Sequence, residues 1–219
     1  AVIDSGTANN PDLVPSIAGS VLGGENFVPG EGEPSATSTL NGAHGTWVGT
    51  MIAGHTYFLF NSASTLAQSL ATHMPSSIIY DYEPGLSVVP MFGSAPDAGL
   101  YALKVFPAAG GGSPESRVIA AMDRAITMKT NYNNGMPVEP VNPGCGAEED
   151  PCVYDSMNIT VVNMSLGGGT LYAGQDLEDS LTKKMLEVGI TLVASAGNEG
   201  HTAMTGGSPG TGLGSLTVG

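Results

Sequence analysis

Residues 98–106 read AGLYALKVF, nine residues with a single charge, apolar at odd and even positions alike. A half-buried strand alternates apolar with polar residues, and a surface helix repeats every three or four. This run does neither, so it reads as a strand covered on both faces, as strands of a parallel sheet are. AVID (1–4), ITVVNMS (159–165) and TLVASA (191–196) share the pattern, and SLTVG (215–219) reads as one more. Helical patterns lie between them. Ser113 and Pro114 read as an N-cap and first helical residue, after which Val118, Ala121, Met122, Ala125 and Ile126 form one face. Leu177, Leu181, Met185 and Val188 form another, stopped by Gly189. Alternation of this kind predicts an α/β fold: a doubly wound, mostly parallel sheet with helices on both faces.

The chain has 219 residues, enough for one such domain with a sizeable core. Net charge is −14, with only 6 Lys plus Arg, which argues against nucleic acid and anionic membrane as partners. The acidic balance fits a secreted protein and offers carboxylates to Ca²⁺. Cys145 and Cys152, in GCGAEEDPC, are expected to close a small acidic loop as a disulfide; two reduced thiols are the other reading. Residues 56–94, with a helix over 62–73, and the acidic stretch 131–157 interrupt the strand–helix rhythm and read as surface insertions. The chain opens directly on a strand that is already ending, so both ends of the domain are expected to be incomplete.

Three features carry chemistry. Asp4 ends the first strand, on the edge of the sheet where doubly wound folds bind ligands. NGAHGTWVGTMIAG (41–54) puts His44 after an Asn41-Gly42 turn, at the mouth of a helix whose Val48, Met51 and Ile52 are spaced to face the core. A carboxylate accepting from a histidine N–H fixes its tautomer, the orienting pair of a serine protease. Asn198, in ASAGNEG (194–200), follows a strand and could donate to a developing oxyanion. SLGGG (165–169) offers exposed backbone to which an extended peptide could pair. His55, His73 and His201 lack ligand-spaced partners, and Asn158-Ile159-Thr160 is a chance sequon. Met122, Met128, Met157 and Met185 read as core fillers.

Taken in order, AVIDSG, AHGTWVGT, SAPDAGLYALKVF with its GGGS, NMSLGG and SAGNEG resemble the subtilisin family of serine endopeptidases across the whole chain. The resemblance implies that Asp4 orients His44, that His44 is general base and then acid, and that Asn198 stabilises the oxyanion. A protein or peptide substrate would lie as an extended strand between Gly110, Gly111 and Gly112 on one side and Ser165, Leu166, Gly167 and Gly168 on the other. Ala194, Ser195 and Ala196 would wall the primary specificity pocket. No cofactor is needed for the chemistry, and a propeptide or inhibitor is a further partner the resemblance implies. Asp12 matches a position that is a calcium ligand in some relatives, which would make a structural Ca²⁺ site; an aspartate that starts a helix or turn is the other reading.

Two departures qualify this. The family's Gly-Thr-Ser-x-Ala nucleophile motif does not occur in the 219 residues, and neither Ser208 nor Ser215 has its setting. The catalytic serine is therefore expected beyond Gly219, and the chain alone is expected to be inactive and marginally stable. The alternative is a peptide-binding relative that lost its nucleophile. Trp47 stands where many relatives carry a second histidine. A nucleotide site is excluded, because no Gly-x-Gly-x-x-Gly joins the first strand to a helix. A sedolisin-type peptidase would carry glutamate in place of His44.

Overall fold

A computed structural model describes residues 1–10, 14–32, 43–202 and 204–219. Its centre is a parallel sheet, six-stranded among the described residues. The strands are β1 (Val2–Asp4), β2 (Val21–Asn26), β6 (Leu100–Lys104), β7 (Val161–Met164), β9 (Thr191–Ser195) and β11 (Ser215–Val218), in the order β11-β9-β7-β1-β6-β2. The order turns around β1, which hydrogen-bonds to β6 on one side and β7 on the other. Asp4 thus sits at the carboxyl end of a central strand, where such sheets open a crevice.

Both faces of the sheet are covered, and alternation along the strands decides which side chain goes where. Ile3, Tyr101 and Leu103 join the larger core with α3 (Glu115–Asn133) and α4 (Leu177–Val188). Val2 and Leu100 join a smaller one with α1 (His44–Ala53) on the opposite face. Met122, Met128, Met157 and Met185 are all buried in the larger core, as their spacing predicts. Full burial of one such side chain contributes about 1.5–3 kcal/mol.

Two helix expectations need amendment. α1 turns Gly45, Thr46, Gly49 and Ala53 inward, with Val48 and Ile52 only partly buried and Met51 73 % exposed. Small residues face the sheet because the helix lies too close to it for larger ones: a Cβ on Gly49 would stand 3.0 Å from Thr7 and 3.2 Å from Leu100. The preceding Asn41-Gly42 turn lies outside the described residues. α3 starts at Glu115 with Pro114 in the cap position, and Ser113 Oγ instead donates to the Val105 carbonyl at 2.9 Å. α4 stops at Gly189 as expected, in the left-handed conformation at φ 90°.

β2 was not evident from its sequence. It reads VLGGEN, and its glycines suit a place where another backbone comes close. A Cβ on Gly23 would lie 2.0 Å from the Cys152 carbonyl oxygen, which accepts the Gly24 N–H at 3.0 Å. Cys152 is disulfide-bonded to Cys145, closing the acidic loop.

Residues 56–94 hold more order than a helix with an unplaced stretch. β3 (His55–Asn61), β4 (Ile79–Glu83) and β5 (Leu86–Phe92) form an antiparallel sheet ordered β3-β5-β4. α2 (Thr65–His73), capped by Ser64, packs on one face through Ala67, Leu70 and Ala71 against Phe60, Ile78 and Val89. Residues 131–133 complete α3, and 134–157 are loop with one isolated bridge between Pro140 and Tyr154.

Candidate active site

The Asp4 side chain is 1 % exposed and accepts the Ser5 backbone N–H at 2.7 Å. Its two oxygens lie 2.8 and 2.9 Å from His44 Nδ1. An ionised carboxylate only accepts, so the shared proton sits on Nδ1 and the Nε2 lone pair is left for another partner. The His44 side chain is 51 % exposed, with its buried anchor behind it.

Gly45 makes that contact possible. A Cβ there would stand 2.2 Å from the Gly6 carbonyl oxygen and 3.0 Å from Asp4 Cβ. Without one, the first turn of α1 is stitched to the loop after β1. Gly45 N–H donates to Ser5 Oγ at 2.9 Å, and Ala8 N–H donates to Thr46 Oγ1 at 2.9 Å.

A cleft of about 620 Å³ opens above the pair. Asp4, His44, Asn198, Gly110, Gly111, Ser165, Leu166, Gly167, Gly168 and Ser195 all line it. Gly112, Ala194 and Ala196 do not. Ala194 is 2 % exposed inside the sheet, and Ala196 donates its N–H to the Val218 carbonyl at 2.7 Å, so Ser195 alone of that trio faces the cleft. Ser195 Oγ donates to the Leu166 carbonyl at 3.0 Å, tying the two walls together. Trp47, Phe106, Glu199 and Gly207 also line the cleft. Trp47, singled out in the sequence only as standing where many relatives carry a histidine, is 57 % exposed one turn along α1 from His44.

The glycine-rich run after β7 is partly paired already. β8 (Gly168–Gly169) forms an antiparallel ribbon with β10 (Gly207–Ser208). Behind the ribbon, the buried Ser208 hydroxyl lies 2.9 Å from Asp176 Oδ1, 3.2 Å from Asp179 Oδ1 and 3.5 Å from Glu178 Oε2. Asp179 also accepts from Gly174 N–H and Thr211 Oγ1. Burial, together with the charges of Glu115, Asp176 and Asp179, pushes the Glu178 carboxyl up from 4.5 to about 7, against the Ser208 hydrogen bond.

Ser165 Oγ accepts from Asn163 Nδ2 at 3.0 Å, and Ser215 Oγ donates to the Pro209 carbonyl at 2.6 Å. Asp12 lies outside the described residues. Among the described residues no group of three or more His, Cys, Asp or Glu is placed to hold a metal ion, so no calcium ligand is assigned to them. Among the same residues no helix is long and apolar enough to cross a membrane.

A buried acid hydrogen-bonded to a half-exposed histidine thus stands at the carboxyl edge of a parallel sheet, in one cleft with an asparagine. The Subtilase family model matches residues 1–219, and the chain belongs to that family, which is one of serine proteases. It is 30 % identical over 206 residues to Subtilisin E of Bacillus subtilis (strain 168), covering 94 % of this chain and 35 % of that protein. To Subtilisin of Bacillus pumilus it is 29 % identical over 206 residues, covering 94 % and 49 %. The chain thus spans between a third and a half of the length of these relatives. Among solved structures, Sphericase superposes with a TM-score of 0.56 at 22 % identity, over 99 % of this chain and 52 % of that one, a likeness of fold.

Proposed function

We propose that this chain is part of the peptidase domain of a secreted subtilisin-like serine endopeptidase, with residues 56–94 and 131–157 as surface additions. The observation that carries the reading is the two-oxygen contact of Asp4 with His44 Nδ1 at the floor of the cleft. Asp4 holds the tautomer in which Nε2 is basic and stabilises the imidazolium that follows. His44 takes the nucleophile's proton and returns it to the leaving amine. Asn198 donates to the tetrahedral oxyanion. The nucleophile in this reading is a serine outside these 219 residues, since the family's Gly-Thr-Ser-x-Ala motif does not occur among them. The substrate is a peptide lying extended along Gly110, Gly111 and the 165–168 segment. Within the same reading, a propeptide or inhibitor would occupy the same cleft, and any structural calcium would involve Asp12.

The test is hydrolysis of an unstructured protein by the full-length protein and its variants. Asp4→Asn, which presents His44 with a donor amide, is expected to lower kcat by about 10⁴-fold. His44→Ala is expected to lower it by at least about 10²–10⁴-fold. Turnover insensitive to both changes would sink the reading. The missing nucleophile motif favours one other reading, a peptide-binding relative. It predicts saturable peptide binding without turnover in the full-length protein.

A further inference from the structure

Lys104 is the last residue of β6 and stands opposite Asp4 in the parallel register, with only 1 % of its side chain exposed. Its ammonium pairs with Glu31 Oε2 at 2.8 Å. The same Glu31 carboxylate accepts the backbone N–H of Ala108, at 3.0 Å to one oxygen and 3.3 Å to the other. Glu31 is anchored in turn, because its carbonyl accepts from Asn26 Nδ2 at the end of β2. One carboxylate therefore joins the carboxyl end of β6, beside the catalytic aspartate, to the loop that carries Gly110 and Gly111 into the cleft.

That loop needs such a tie. It leaves β6 with Val105 and Phe106 donating their N–H groups to the Asp4 carbonyl, and turns with Gly110 N–H donating to Pro107. Ser113 Oγ closes it on the Val105 carbonyl. Gly110 and Gly111 hold φ of 84° and 104°, and a Cβ on Gly111 would meet nothing within 4 Å. Two such glycines give the edge little stiffness of its own. The Glu31 carboxyl sits below its usual range, chiefly through the hydrogen bond from Lys104, then the Ala108 N–H and the charges of Lys104 and Arg117, against its desolvation. It is therefore ionised where the enzyme would work.

We infer that Glu31 is a positioning residue for substrate: by bridging Lys104 and the Ala108 N–H it fixes the Gly110–Gly111 edge at the register an extended peptide needs. The inference rests on the peptide-cleft reading above and adds to it the group that holds one side of the cleft in place. Its signature is selective. Peptides long enough to pair with that edge depend on Glu31, and single-residue substrates that never reach it depend on it less.

The test compares two double variants of the full-length protein, both without the buried charge pair. Glu31→Gln with Lys104→Met keeps an oxygen acceptor for the Ala108 N–H; Glu31→Leu with Lys104→Met removes it. Binding of an uncleavable extended peptide is followed by the emission of Trp47, the chain's one tryptophan, which lines the cleft. The leucine double is expected to bind about tenfold more weakly than the glutamine double, on the scale of one hydrogen bond to substrate. Where the protein cleaves peptides, the ratio of kcat/KM for an extended peptide over that for a single-residue ester falls by the same factor, through KM. Should the leucine double fail to fold, Glu31→Asp, still charged but one methylene too short to span both partners, reads the same ratio. Equal affinities in the two doubles, or no binding by the unaltered protein, overturn the inference. Binding without cleavage by the unaltered protein refutes the protease reading alone, and the ratio of affinities still decides the role of Glu31.

Discussion

Replacing Glu178 with glutamine is expected to stabilise the protein at pH 8 and to leave it almost unchanged at pH 4. The carboxyl lies at the start of α4, 7 % exposed, among Asp176, Asp179 and Glu115. Its value rises from 4.5 to about 7 on folding. Below pH 4.5 both folded and unfolded chains hold the proton, and glutamine resembles what is already there. Between 4.5 and 7 the unfolded chain gives the proton up while the folded one keeps it, so stability falls as pH rises through that window. Two and a half pH units at about 1.4 kcal/mol each give a loss of about 3.5 kcal/mol above pH 7. Glutamine abolishes that loss and keeps an acceptor for Ser208. For a domain the size of this chain the midpoint of thermal unfolding would rise by about 7–14 °C at pH 8. Denaturation of the full-length protein and the variant across pH 4–8 measures it. A gain that does not grow with pH, or a loss at pH 8, would refute the account of this acidic cluster.

Gly45→Ala adds a methyl where the Gly6 carbonyl already stands. Overpacking is expected to destabilise the protein by about 1–3 kcal/mol. It should also part His44 from Asp4, so that proteolysis falls far more than unfolding alone explains; full activity in a folded variant would contradict this. Asn198→Ala is expected to lower kcat by about 10²–10³-fold with little change in KM, the figure being the one established for the oxyanion asparagine of subtilisin and carried over here. A change confined to KM would assign Asn198 to binding instead. Opening the Cys145–Cys152 bridge with paired serines is expected to cost about 2 kcal/mol, from a loop with a sequence separation of 7. Chemical denaturation reads this, and an unchanged midpoint would mean the loop is ordered without its crosslink.

The strands buried on both faces were legible because nothing but apolar side chains serves there, and AGLYALKVF shows it without alternation. β2 was hidden for the opposite reason. VLGGEN lacks bulk because the Cys152 carbonyl occupies the space a side chain would fill, a contact spanning some 130 residues that no local pattern reports. The same cause misled the reading of α1, since periodicity finds large apolar residues and this helix buries glycine, threonine and alanine. The small sheet had a usable signal in Pro84-Gly85, where Gly85 takes φ 82° between β4 and β5. In the cleft, Asp4, His44 and Asn198 were named from motifs, and they do converge on one cavity. Glu31 and Lys104 were not singled out. They lie 73 positions apart and are brought together only by the pairing of β2 with β6.

That pairing has another side. Among the described residues β2 is an outer strand of the parallel sheet, and an outer strand presents N–H and carbonyl groups on which a second chain can add. Here the Gly24 N–H is already spent on Cys152, inside the crosslinked loop. The acidic loop thus covers part of that edge, where a second chain would otherwise pair. In a reducing medium the first sign of trouble would be concentration-dependent self-association of chains that still look folded, with unfolding coming only later.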